Sequence, residues 1–196
     1  MSNESSNVKI VYADGVPLGL FALALITLIG SSALFGSGAA KDTAWVLCVA
    51  AFAQIWTAGM CYKSNNVFGG TVLGAYGLFW LAMGVAAIVN GEFFGSTLAA
   101  GAGDPTMLYV CIGYLIFSVL MTIASVYTNK LLLIILGLIT ILFLGLTLQF
   151  AGVSAGQYIA DYSRIILSIV SFYGAGALVI NAMVGRDLLP IGPRKG

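Results

Sequence analysis

Between Lys63 and Glu92 the chain reads SNNVFGGTVLGAYGLFWLAMGVAAIVNG, residues 64–91, which is 28 positions without a charged side chain. A helix crosses the hydrocarbon core of a bilayer with about 20 predominantly apolar residues. This stretch is long enough, and so are five others. The 8 basic and 7 acidic side chains leave further uncharged intervals at 15–40, 43–62, 105–129, 131–160 and 165–185, of 26, 20, 25, 30 and 21 residues. The gap at 93–103 has 11 residues, too short for a span, and reads as a loop. Backbone groups unpaired in lipid are costly, which excludes an open sheet and leaves helices. The pattern predicts an all-α integral membrane protein, a compact bundle of six transmembrane helices around a narrow path. Their expected extents are about 16–37, 44–62, 67–89, 106–127, 131–151 and 157–185.

Composition agrees. Of 196 residues, 60% are hydrophobic and 8% charged, with a mean hydropathy of +1.04. A soluble domain carries roughly a quarter charged residues, so this chain lacks the polar surface that water requires. The joints between the expected helices carry turn chemistry: Gly-Ser-Gly at 36–38, Asn65-Asn66, the run from Gly101 to Pro105, and Thr128-Asn129-Lys130. Pro17 and Pro105 sit where a first helical turn tolerates proline. The division is a polar tail at 1–15, a single six-helix domain at 16–187 and a C-terminal tail at 188–196. The first tail lacks the basic and small-residue pattern of a signal peptide, so the first span is expected to stay in the mature protein.

Lys9, Lys63, Lys130, Arg186, Arg194 and Lys195 fall on one side of this arrangement, Lys41 and Arg164 on the other. The positive-inside rule then places both termini in the cytoplasm, for a multi-pass protein of the cell membrane. A net charge of +1 and no basic run beyond Arg194-Lys195 argue against a nucleic-acid partner. Cys48, Cys61 and Cys111 are widely spaced, and the chain has no histidine, so no metal, haem or other cofactor is expected. The cysteines read as small buried hydrophobes. A nucleophile with a base, or a metal, is likewise missing at membrane depth, which argues against an enzyme.

The expected core spans contain no Asp, Glu, Lys, Arg or His, which disfavours a pump built on a buried carboxylate and favours a pore lined by neutral donors and aromatic rings. The neutral polar residues at depth include Gln54, Thr71, Tyr76, Trp80, Ser171 and Asn181. Tyr76 and Trp80, four apart, share a helix face. For each of these, a hydrogen bond between helices is the bland reading and a place on a substrate path the sharper one. Gly70, Gly74, Gly77 and Gly84 form a small-residue stripe that predicts close helix packing, within or between subunits.

The run from Ala53-Gln54 to Tyr62-Lys63, then Asn66-Val-Phe68-Gly69, then Tyr76-Gly77-Leu-Phe79-Trp80-Leu81, resembles the acetate uptake transporter family, the bacterial succinate–acetate permeases and their fungal relatives. Pro17-Leu18-Gly19-Leu20 is similar to the end of the family's N-terminal Asn-Pro-x-Pro-Leu-Gly-Leu motif, and Leu188-Leu189-Pro190-Ile191-Gly192 to its C-terminal Leu-Pro-Ile/Val-Gly. The resemblance covers nearly the whole chain in order and spacing. It implies six-helix protomers assembled as a hexamer, and passage of acetate and other small monocarboxylates, in some members succinate, channel-like or coupled to protons. It also implies a constriction of three residues, here Leu23, Tyr76 and Leu138, with Leu23 standing where the family has Phe and Phe21 two residues earlier. Phe21, Gln54, Asn66, Thr71, Trp80, Ser171 and Asn181 become candidates to meet substrate, and Asp14, Pro17, Leu18 and Gly19 mark the opening motif. Two further departures are Asp14-Gly15 in place of the motif's Asn-Pro, and Cys61 in place of a glutamate before Tyr62-Lys63. The alternative is a six-helix channel for another small solute such as urea or a short amide, whose loop histidines this chain lacks. Formate/nitrite channels centre on a pore histidine, also missing here.

Overall fold

The structure is a computed structural model that describes residues 12–31, 34, 40–91 and 105–192. Among the described residues there are six helices and no strand: α1 Val16–Gly30, α2 Ala40–Lys63, α3 Val67–Asn90, α4 Pro105–Ser125, α5 Lys130–Phe150 and α6 Ser154–Val184. The expected turns at 36–38 and 101–104, and the loop at 93–103, lie outside the described residues.

Sequence chemistry sets the helix ends. Pro17 stands in the first turn of α1, where its missing N–H would have had no partner. Asn66 caps α3 by accepting from the Gly69 N–H at 2.8 Å, and Asn129 caps α5 by accepting from Leu132 N–H at 2.9 Å. Asn65 takes a left-handed φ of 60° in the turn between α2 and α3, a conformation Asn tolerates better than most side chains. Gly185 ends α6 in the same region.

Five of the six helices are long and apolar enough to cross a bilayer. The first is shorter than expected. It has 15 residues and ends at Gly30 rather than near 37, a length of about 22 Å. Ser31 stops it: its N–H reaches the Thr27 and Leu28 carbonyls and its hydroxyl donates to Leu28 O at 2.6 Å. α2 and α6 begin earlier than expected, at Ala40 and Ser154.

α1 packs against α2 and α6, α2 against α3, and α5 against both α4 and α6. Side-chain bonds from Tyr76 and Tyr114 join α3 to α4 and close the ring. The start of α1, the α2–α3 and α4–α5 turns and residues 189–192 share one end of the bundle. The α3 glycine stripe serves packing inside the protomer. A Cβ at Gly70 would meet the Tyr62 ring, at Gly77 the Gln54 and Ile55 side chains, and at Gly84 Cys48, all on α2. A second close approach was not expected: a Cβ on Gly145 of α5 would lie 2.6 Å from the Ala160 nitrogen of α6.

One charge expectation is corrected. Asp161 and Arg164 lie within α6, where Asp161 is 4% exposed and pairs with Arg164 one turn on. The expected sixth extent, 157–185, already held both residues, so the expectation of uncharged spans failed there from the start; α6, at 31 residues, is longer than a crossing needs, and an i,i+3 pair neutralises itself along one face.

Candidate substrate path

A cavity of about 550 Å³ opens at the end of the bundle that holds the start of α1. Its mouth is polar, with Asp14 before α1, Asn65 and Asn66 between α2 and α3, and Tyr127, Thr128 and Asn129 between α4 and α5. These side chains cap helices and fill turns, so the polarity of the rim follows from local backbone needs. Asp14 accepts from the Val16 N–H at 3.0 Å and Asn66 and Asn129 cap as described. Inward, the walls turn apolar: Leu20 and Leu23 of α1, Val72 and Leu73 of α3, Ile135, Leu136 and Ile139 of α5. Gln54 and Tyr76 supply the polar groups at depth.

The inner end is closed by aromatic rings. Tyr76 is 2% exposed. Its ring stacks on Phe143 of α5 with centroids 5.8 Å apart, and Phe117 of α4 meets it edge-on at 5.6 Å. Tyr114 and Phe79 extend the cluster behind it. The Tyr76 hydroxyl lies 2.8 Å from Ser118 Oγ, and Ser118 donates onward to Tyr114 O at 2.6 Å. With the Ser118 proton so committed, the Tyr76 hydroxyl donates to Ser118.

Gln54 differs from every other polar group on the walls. It is fully buried, its Nε2 reaches only Gly19 O at 3.5 Å, and its Oε1 has no partner among the described residues. An unpaired buried amide costs free energy unless something in the adjoining space answers it. An amide N–H can donate to a carboxylate oxygen, and an amide carbonyl can accept the O–H of a protonated acid.

The structure therefore brings together Asp14, Leu23, Gln54, Asn66 and Tyr76 on one cavity. Gly19 belongs to the wall indirectly, letting α1 approach Leu73 and offering its carbonyl to Gln54. Other expected positions lie elsewhere. Leu138 does not line the cavity. At 100° per residue it points about 110° away from the α5 face made by Leu132, Ile135, Leu136 and Ile139. Phe21 is 45% exposed and packs edge-on against Phe172 of α6, on an outer groove that it shares with Leu18. Two residues from Leu23 is 200° of helix, so Phe21 faces away from Leu23. Pro17 starts α1 and is half-buried.

Thr71 bonds the Tyr62 hydroxyl at 3.1 Å, and Trp80 is buried beside Phe79. Ser171 is buried off the cavity, with its hydroxyl unpartnered among the described residues. Asn181 spends both ends of its amide on Leu189, donating to its carbonyl and accepting from its N–H, each at 2.8 Å. With Lys130 N–H on Gly192 O and Leu131 N–H on Ile191 O, it ties the C-terminal Leu-Pro-Ile-Gly to the start of α5. Sequence reasoning missed Ser118, Phe143 and Asn129. Asn129 was readable as a helix cap; Ser118 and Phe143 carry no signal until α3, α4 and α5 are packed.

The comparisons follow the same outline. A protein of Methanothermobacter thermautotrophicus is 29% identical over 186 residues, covering 91% of this chain and 90% of its own. The Escherichia coli (strain K12) succinate-acetate/proton symporter SatP is 30% identical over 186 residues, covering 92% of this chain and 95% of that protein. The solved structure of a bacterial acetate channel, SatP, superposes with a TM-score of 0.83 at 24% identity, over 94% of this chain and all of that one. That likeness shows that the fold is shared. The profile of one family matches residues 2–184, which contain both the cavity and the Tyr76 cluster, and the chain belongs to that family, the GPR1/FUN34/yaaH family.

Proposed function

We propose that this protein passes acetate and other small monocarboxylates across the plasma membrane, with the cavity as the inner half of the path and Leu23 and Tyr76 at its constriction. The observation that carries this reading is Gln54. A carboxyl group entering an apolar tube loses its water, and that loss is prohibitive without replacement hydrogen bonds. Gln54 presents an unanswered amide at a depth where, Tyr76 aside, the walls are apolar. Family membership and a relative named as a succinate-acetate/proton symporter, matched over nearly its whole length, support the same substrate class. The protein works as a transporter rather than an enzyme, with both termini in the cytoplasm and protomers assembled as a hexamer. Leu138, off the cavity in this closed arrangement, joins the constriction only if α5 turns.

Uptake of labelled acetate into proteoliposomes, with and without a proton gradient and beside urea and formate, tests the reading. Acetate uptake above empty liposomes, lost in Tyr76→Trp, is the expected result, and dependence on the gradient separates carrier from channel. Urea or formate moving while acetate does not would overturn it.

A further inference from the structure

Among the described residues, the rim of the cavity holds one carboxylate. Asp14 is exposed, lines the mouth, and is fixed there by the bond from the Val16 N–H to its Oδ1. Among the described residues, the other polar lining groups of the mouth are amides and hydroxyls, and no lysine or arginine lines the cavity. Of the described cations of this end, Lys63 Nζ sits 5.8 Å from the centroid of the Tyr12 ring, the Lys130 side chain packs on Gly192, and Arg186 lies off the cavity lining. Among the described residues, therefore, a single negative charge stands at the opening of a cavity whose other lining groups are uncharged.

We infer that Asp14 is a valence filter, which admits monocarboxylates and turns away dicarboxylates by charge rather than by size. The inference rests on the reading of the cavity as a carboxylate path and adds its selectivity. Repulsion scales with the charge of the passing solute, so a factor that disfavours a monoanion is squared for a dianion. A unit charge passing within roughly 8 Å of Asp14, at an effective dielectric of about 40, is disfavoured about fivefold, and a dianion about twenty-five-fold. Because Asp14 is exposed, salt screens the effect over about 10 Å at 0.1 M.

The test is uptake of labelled acetate and labelled succinate into the same proteoliposomes, at a pH where both are fully ionised. Asparagine keeps an oxygen for the Val16 N–H, so Asp14→Asn retains the start of α1 while removing the charge. It should raise acetate uptake about fivefold and succinate uptake about twenty-five-fold, lowering the acetate-to-succinate ratio about fivefold. Asp14→Glu should keep the wild-type ratio, and added salt should lower that ratio in the wild type but not in Asp14→Asn. A wild type that takes up acetate, with a ratio that Asp14→Asn and salt both leave unmoved, overturns the filter alone. A wild type that takes up neither acid above empty liposomes overturns the carboxylate reading and the filter with it.

Discussion

Replacing Gln54 separates the two demands on that position. Methionine keeps the length of the side chain and removes an amide that has one weak partner. Relief of an unsatisfied buried polar group is worth about 1–3 kcal/mol, so Gln54→Met should unfold at a higher temperature in detergent. Acetate uptake should nevertheless fall at least tenfold, about the 1.4 kcal/mol expected of one lost hydrogen bond to a carboxyl group in an apolar tube. A variant that is both less stable and equally active would show that the amide serves packing. At Tyr76 the expected change is in selectivity. Tyr76→Ala removes the ring stacked on Phe143 and should admit longer monocarboxylates such as butyrate, measured as their uptake relative to acetate. Unchanged selectivity would remove Tyr76 from the constriction.

The helices are held by two kinds of contact whose failures differ. α5 and α6 touch backbone to backbone at Gly145 and Gly156, so Gly145→Val must push the helices apart, at a cost of about 3 kcal/mol or more. Gly176 faces open space, and Gly176→Ala should instead stabilise α6 by about 0.5–1 kcal/mol through its better helix propensity. The Asp161–Arg164 pair is a different case, since both side chains are largely buried. Asp161→Asn strands the guanidinium and should cost about 3–5 kcal/mol, whereas Asp161→Leu with Arg164→Met removes both charges and should cost far less. Chemical unfolding of the three proteins in one detergent tests this. Equal losses in the single and double variants would mean that the pair's charges do not interact.

At the scale of the molecule, the helices form a ring in which each packs on a neighbour in sequence, with α6 returning to α1. The short α2–α3 and α4–α5 turns put Lys63 and Lys130 at the end that carries the cavity mouth, and the end of α6 puts Arg186 there. If that end is cytoplasmic, Arg186→Cys should resist a membrane-impermeant thiol reagent in intact cells and react in inverted vesicles. Cys61 and Cys111 are buried and contribute little background, and labelling of the parent protein measures that of the half-buried Cys48. Labelling from outside would reverse the orientation.

Six helices, their order and the family were legible in the chain itself. Long uncharged intervals leave the backbone one way to satisfy its hydrogen bonds in lipid, and Asn66, Asn129 and Pro17 mark helix starts by local chemistry. Leu23, named through the resemblance, and Gln54 and Tyr76, named as polar residues at depth, do meet on one cavity. What lay beyond reading was the direction each side chain takes once neighbouring helices are packed. Phe21 and Leu23 differ by two positions and face opposite ways; Leu138 lies between Leu136 and Ile139 yet points off the cavity. Asn181 looked like a polar lining residue until the C-terminal tail folded back onto it, and Ser118 gained its role only when α4 met α3. A span announces itself through solvent, because every residue in it faces the same hydrocarbon constraint. A path is defined by which few side chains converge from different helices, and rotation and register are decided by contacts distant in sequence.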